Sequence, residues 1–129
     1  MEVKLTHPGK MRFRVEAREH VIESDQPLEI GGEDKGMTPP ELLLASLASC
    51  AGFYASQYLS SRKLADHGVE VVVTAEKLKD PPRLGNFVVK VKSPVSLTED
   101  QRLGMERSVH RCTIHQTIIN TPKIDIELE

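Results

Sequence analysis

Two cysteines, Cys50 and Cys112, are the residues in this 129-residue chain best suited to chemistry. A thiol attacks or ligates only as its thiolate, so a working cysteine needs positive charge nearby to lower its pKa. Cys50 falls about three turns into an expected helix, beyond the reach of that helix's N-terminal dipole. Burial alone would raise its pKa, so any activation must come from a cationic side chain brought in from elsewhere. An inert core cysteine fits the same spacing, since free cysteine is among the most buried residue types. Cys112 has the same two readings: a core residue, or a resolving thiol that condenses with a sulfenic acid on Cys50. Cys112 and His115 also stand at i, i+3, and with His110 and Cys50 they could surround zinc. No pair has finger-type spacing, however, so a metal site is not expected. There is no CxxC pair.

Glu41 is the nearest acid to Cys50, and it has a ready structural use. Thr38-Pro39-Pro40-Glu41 is a capping box, with Thr38 as N-cap, prolines where N–H groups would be unpaired, and Glu41 at the third helical position. On a regular helix the nine residues from Glu41 to Cys50 give about 900° of rotation and roughly 13 Å of rise. The two side chains then leave opposite faces. Glu41 can help Cys50 only across a dimer interface or around a helix break. Arg12, Arg14 and Arg18 are the candidate cations, and they also fit an ordinary solvated strand face. Gly31-Gly32-Glu33-Asp34-Lys35-Gly36 reads as a flexible acidic loop; it lacks the GK[ST] ending of a phosphate loop. His7, His20 and His67 sit in polar or turn contexts.

The elements that must position these residues are legible from periodicity. Met11–Arg18 alternates strictly between apolar and charged residues, the period of a half-buried strand. His20–Glu23 is expected to pair with it, and Asp25-Gln26-Pro27 to end that strand. The helix that starts at Thr38 is expected to run to about Arg62. From Leu42 to Ser61 it has no charged side chain, and its apolar residues cover most of its circumference. Such a helix is a membrane span or the centre of a larger core. Its serines, Gln57 and the lack of flanking anchors argue against a span. A chain this short cannot easily enclose the helix alone, so a partner subunit is expected to cover part of it.

Beyond Gly68, Val69–Lys79 and Phe87–Lys92 read as paired strands around a Pro/Gly/Asn turn. Thr98 and Gln101 form a second capping box. Met105, Val109 and Cys112 then place Cys112 on the buried face of that helix. A short helical stretch is expected near His115–Asn120, and Ile124, Ile126 and Leu128 alternate as a closing strand. The order ββ-α-ββ-α-β describes one α+β domain, residues 1–129, with an antiparallel sheet.

Composition narrows the function classes. Hydrophobic residues make up 39% of the chain and charged ones 28%, as in ordinary soluble domains. A net charge of −2 without a basic stripe disfavours a sequence-independent nucleic-acid binder. The N-terminal stretch has no apolar signal-peptide core, and two cysteines without a secretion signal fit a reducing compartment. A cytoplasmic protein is expected, with no membrane and no nucleic-acid partner. Aromatic content of 4% disfavours a stacking site for a conjugated cofactor, so no cofactor is expected.

The stretch from Gly31-Gly32 through Gly36-Met37-Thr38-Pro39-Pro40-Glu41-Leu42-Leu43-Leu44 to Ala48-Ser49-Cys50 resembles the helix entry of the OsmC-like and organic-hydroperoxide-resistance family. That pattern is a glycine-rich loop, P-x-E-L-L and a small-residue helix ending in A-x-C. Cys112 falls where the family keeps its second cysteine. The resemblance implies an α+β intertwined homodimer, with antiparallel sheets wrapped around central helices. It implies reduction of organic hydroperoxides, and of hydrogen peroxide as a further substrate, with a dithiol reductant as co-substrate. Cys50 would match the peroxidatic cysteine, Cys112 the resolving cysteine, Glu41 the acidic helper and Arg18 the activating arginine; Arg12 or Arg14 could take that last role. Thr113 and His115 depart from the hydroperoxide-resistance branch, and the chain looks nearer to the uncharacterised OsmC-like members. The alternative is a non-catalytic OsmC-like stress protein or apolar-ligand binder with inert core cysteines.

Overall fold

The computed structural model describes residues 1–129. The chain divides into two compact units, Met1–Leu43 and Leu44–Glu129.

In the first unit, β1 (Lys4–Gly9), β2 (Arg12–Ala17) and β3 (His20–Ser24) form an antiparallel sheet in that order. Phe13 faces Ser24, Val15 faces Ile22, and Ala17 faces His20 across a two-residue turn. The alternating residues of β2 therefore do form a strand. β1 was not anticipated, because its sequence KLTHPG carries a proline and little alternation. As an edge strand it tolerates Pro8, and its register shifts between Thr6 and Gly9.

The loop after β3 is tied down, which corrects the expectation of a flexible segment. Asp25 is completely buried. Its carboxylate accepts the N–H groups of Gln26 at 2.8 Å, and of Glu33 and Lys35 at 3.1 Å each. Burial would push this carboxyl up, but the three N–H donors and the charge of Arg12 outweigh it and hold the pKa below the ordinary value. Lys10 and Arg12 pair with Glu33 over the same loop.

The long helix α1 (Pro39–Ser61) begins where the capping box placed it. The Thr38 N–H donates to the Glu41 carboxylate at 2.7 Å, and the Glu41 N–H donates to the Thr38 hydroxyl at 3.4 Å. By length and composition alone α1 could cross a membrane. Within the second unit, however, Leu47, Ala51, Ala55, Tyr58 and Leu59 are buried at the spacing of one helix face. That unit adds a hairpin, β4 (Glu70–Leu78) with β5 (Arg83–Lys92), and the helices α2 (Glu99–His110) and α3 (Thr113–Ile119). Ala55, Tyr58, Leu59 and Met105 form the core, joined by Val69, Val91, Leu97 and Val109. On the hairpin, Val71, Val73, Val89 and Val91 turn inward while Val72 and Val88 stay exposed.

Two features depart from the sequence reading. The expected closing strand does not form: Ile124, Ile126 and Leu128 lie outside regular structure and are 78%, 85% and 96% exposed. Alternation supplies strand propensity, but a strand needs a ladder to join, and no strand of this chain pairs with the segment. In addition, α2 stops at His110, so Cys112 is not on that helix but is the N-cap of α3. The observed order is β-β-β-α-β-β-α-α, an α+β fold with antiparallel sheets.

The α2 start is a complete capping box, with Thr98 accepting from the Gln101 N–H and the Gln101 side chain accepting from the Thr98 N–H. Thr98→Ala is expected to cost about 1 kcal/mol in urea unfolding. An unchanged midpoint would show that the cap contributes nothing.

Candidate active site

The second unit brings the two cysteines together. Cys50, on α1, is half-buried, Cys112 is completely buried, and both are free thiols. They are near enough for Cys50 to influence the Cys112 thiol electrostatically, but no disulfide joins them. Cys112 reaches this position because the chain leaves the helical conformation at Cys112 itself (φ −50°, ψ 122°), where its sulfur caps α3, accepting the His115 N–H at 3.4 Å.

Burial pushes the Cys112 thiol above its ordinary value of 9.0, and the neighbouring Cys50 adds to this; the His115 and Ile114 N–H groups pull partly the other way. A raised thiol pKa means that the fold holds the proton more tightly than the unfolded chain does. The associated stability is complete below the ordinary thiol pKa and is lost as pH rises through the folded one. Cys112→Ala should therefore flatten the fall in stability above about pH 9. Thermal melts from neutral to alkaline pH read this directly, and parallel curves for the two proteins would contradict it.

Beside the thiols lies a cleft of about 450 Å³. Leu47, Ala51, Val89, Val91, Met105 and Val109 give it apolar walls, and Cys112 and His115 line it too. Its polar rim is Arg102, Glu106 and His110. Arg102 is already engaged by Glu99 through bonds of 2.7 and 3.0 Å, and it lies 3.7 Å from Glu106. Its charge is therefore already matched by carboxylates. The His110 and His115 rings lean on one another at 5.2 Å between centroids. No group of three His, Cys, Asp or Glu residues is arranged to hold a metal ion. The cleft suits an apolar molecule.

The other two expected site residues belong to the first unit. Glu41 serves the α1 cap. Arg18 occupies the β2–β3 turn, exposed, with φ 55° and no ion pair. Arg12 is held by Glu23 at 3.8 Å and Glu33 at 3.9 Å, and Arg14 by Glu16. Of the three candidate cations, Arg18 alone has no carboxylate partner within the chain.

Sequence reasoning missed the cleft and Asp25. The cleft's walls come from α1, β5 and α2, so no local pattern announces it. Asp25 could have been found, because an Asp that ends a strand commonly bonds to the backbone beyond it.

A family model for OsmC-like proteins matches residues 32–127. The chain belongs to the OsmC-like family. Solved structures agree on the fold. A Psychrobacter arcticus protein named for osmotic stress induction and detoxification response superposes with a TM-score of 0.81 at 20% identity, covering 89% of this chain and 85% of its own. An OsmC-like protein from Mycoplasma pneumoniae gives 0.68 at 20% identity, covering 93% and 86%. The organic hydroperoxide resistance protein OsmC of Legionella pneumophila gives 0.65 at 18% identity, covering 91% and 87%. No curated protein matches the sequence. Within this OsmC-like chain, the family match spans both cysteines and Glu41, and Arg18 lies before it.

Proposed function

We propose that this OsmC-like protein is a cytoplasmic, homodimeric thiol peroxidase that reduces organic hydroperoxides through Cys50 and Cys112. The observation that carries the reading is the pairing of a half-buried thiol with a fully buried one beside an apolar cleft. The Legionella protein's name, organic hydroperoxide resistance, points the same way.

In the first step the Cys50 thiolate attacks the terminal oxygen of ROOH. An S–O bond forms, the O–O bond breaks, and the departing alkoxide takes a proton to become ROH, leaving Cys50 as sulfenic acid. The Cys112 thiol then displaces the sulfenic oxygen, forming an intramolecular disulfide and releasing water. A dithiol reductant restores both thiols and leaves as its own disulfide. Resolution requires Cys112 to give up its proton, which passes to the departing hydroxide.

Arg18 is the cation assigned to Cys50, because it is exposed and uncommitted while Arg12 and Arg14 are paired. Glu41, once released from the cap, would orient that guanidinium. Both residues could reach the site from a second subunit. The apolar surface left outside the core, with Phe53 60% exposed and Val72, Val88, Ile124 and Ile126 also exposed, supports a homodimer.

The deciding experiment is a free-thiol titration before and after one equivalent of cumene hydroperoxide. Rapid loss of both thiols with formation of an internal disulfide is expected, slowed roughly a hundredfold in Arg18→Ala and much less in Arg12→Ala. Two thiols that survive the peroxide would leave a binding protein with inert cysteines.

A further inference from the structure

We infer that a second cleft, on the opposite side of α2 from the cysteines, binds a small polyphosphorylated molecule through Arg62, Arg107 and Arg111. The cleft has a volume of about 620 Å³ and is lined only by Gln57, Tyr58, Ser61, Gly104, Ser108 and these three arginines.

Helical spacing creates it. On α2, Arg102, Met105, Glu106, Val109 and His110 face the cysteine cleft, whereas Gly104, Arg107 and Ser108, with Arg111 just past the helix end, face this one. Residues 104, 107, 108 and 111 follow the i, i+3, i+4, i+7 rule for a single face. The last turn of α1 and its exit contribute Gln57, Tyr58, Ser61 and Arg62.

The floor is rigid. Tyr58 is buried and packs so closely on Gly104 that a Cβ there would lie 2.4 Å from the Tyr58 hydroxyl. The Ser108 hydroxyl donates to the Tyr54 carbonyl at 3.1 Å, tying α2 to α1. The Arg62 guanidinium sits 4.1 Å from the centre of the Tyr58 ring, which holds it over that floor.

Charge identifies the ligand. The chain has 19 acidic residues against 17 basic ones, yet no Asp or Glu lines this cleft. None of the three arginines has an ion-pair partner, whereas Arg12, Arg14 and Arg102 are all paired. One arginine near each helix C-terminus would be accounted for by the helix dipoles. Three exposed arginines that line one cleft at the ends of two helices make it locally positive, which favours an anion there. Their planar, multiply donating heads match phosphate oxygens, whereas the Ser61 and Ser108 hydroxyls already donate to the Tyr58 and Tyr54 carbonyls. Three positive charges call for a ligand with at least two phosphates, and a cleft of about 620 Å³ suits a small one. This site uses neither cysteine, so it stands apart from the peroxidase reading.

The test titrates the full chain with pyrophosphate, ADP and inorganic phosphate by calorimetry at low salt. Emission from the tyrosines, in a protein without tryptophan, gives a second readout. Pyrophosphate should saturate one site per chain. Arg107→Gln and Arg111→Gln should each weaken it at least about tenfold, with Lys79→Gln as an unaffected surface control and circular dichroism to confirm that each variant is folded. Equal affinity for ADP would mean that the phosphate chain alone is read, and tighter ADP that the nucleoside is read as well; both support the site. Binding should persist in the Cys50→Ser, Cys112→Ser double variant, whatever becomes of the peroxidase. The inference is overturned if neither pyrophosphate nor ADP binds at millimolar concentration, if the arginine variants bind normally, or if only long polyanions such as heparin are retained.

Discussion

Cys50→Ser is expected to lower turnover of cumene hydroperoxide by about a thousandfold or more, to the rate of the uncatalysed reaction. The size of the effect follows from chemistry rather than packing. A serine hydroxyl is close in shape to the thiol, but near neutral pH it offers no comparable nucleophile. Cys112→Ser should behave differently. The first step needs only Cys50, so this variant should consume one equivalent of peroxide, stop, and hold a sulfenic acid that a dimedone-type probe captures. Turnover fails in both variants, and the single-turnover burst separates them. A Cys112→Ser protein that turned over as fast as the wild type would remove Cys112 from the mechanism. Its sulfur also caps α3 and fills a fully buried position, so both variants need a folding control. The serine hydroxyl can still accept the His115 N–H, which makes Cys112→Ser a milder structural change than Cys112→Ala.

How much of this was legible beforehand depends on the range of the interaction. The starts of α1 and α2 were readable because a capping box involves four consecutive residues, and both boxes are present. β2 was readable because alternation is local, and β4 and β5 because β-branched runs flank a Pro/Gly/Asn turn, although β5 begins at Arg83, within the expected turn. The tail at Ile124–Leu128 shows the limit. Its alternation is as regular as that of β2, but β2 has neighbours on both sides while the tail has none within the chain. Propensity indicates that a segment can be a strand, and only pairing makes it one. Cys112 illustrates the same limit at the site. Its burial was correctly expected, but its helix was not, because α2 ends at His110 and the backbone leaves the helical region at Cys112, which starts α3. The proximity of Cys50 and Cys112 bridges more than sixty residues of sequence and rests on α2 packing against α1 through Met105 and Tyr58. Periodicity carries no signal for a contact across that separation.

Gly32→Ala is expected to be the most damaging small substitution in the first unit, lowering the melting temperature by roughly 5–15 °C. An added Cβ at Gly32 would lie 1.7 Å from the carbonyl oxygen of Gln26, a separation that no rotamer change can relieve, because both partners are backbone. The loop must open, and what it opens against is Asp25. That buried carboxylate holds the N–H of Gln26 before the displaced glycine and those of Glu33 and Lys35 after it. Asp25→Ala should loosen the same loop from the other end by leaving those donors without their acceptor. If the two changes act on one structure, the double variant should lose clearly less than the sum of the single losses. Additive losses would mean that glycine packing and carboxylate binding are independent. The two single variants part company in acid. Because the fold depresses the Asp25 pKa, the stabilising effect of the carboxylate is complete above its ordinary value of 3.8 and disappears as pH falls through the lower folded value. Gly32→Ala keeps the carboxylate and should retain some acid sensitivity, while Asp25→Asn should lose that part of it. Hydrogen exchange across residues 25–37, followed as the pH is lowered, distinguishes the two. The loop ends at Thr38, so whatever loosens it also frees the residue that caps α1 and engages Glu41. A buried aspartate far from either thiol in sequence thereby governs how firmly Glu41 is held at the cap.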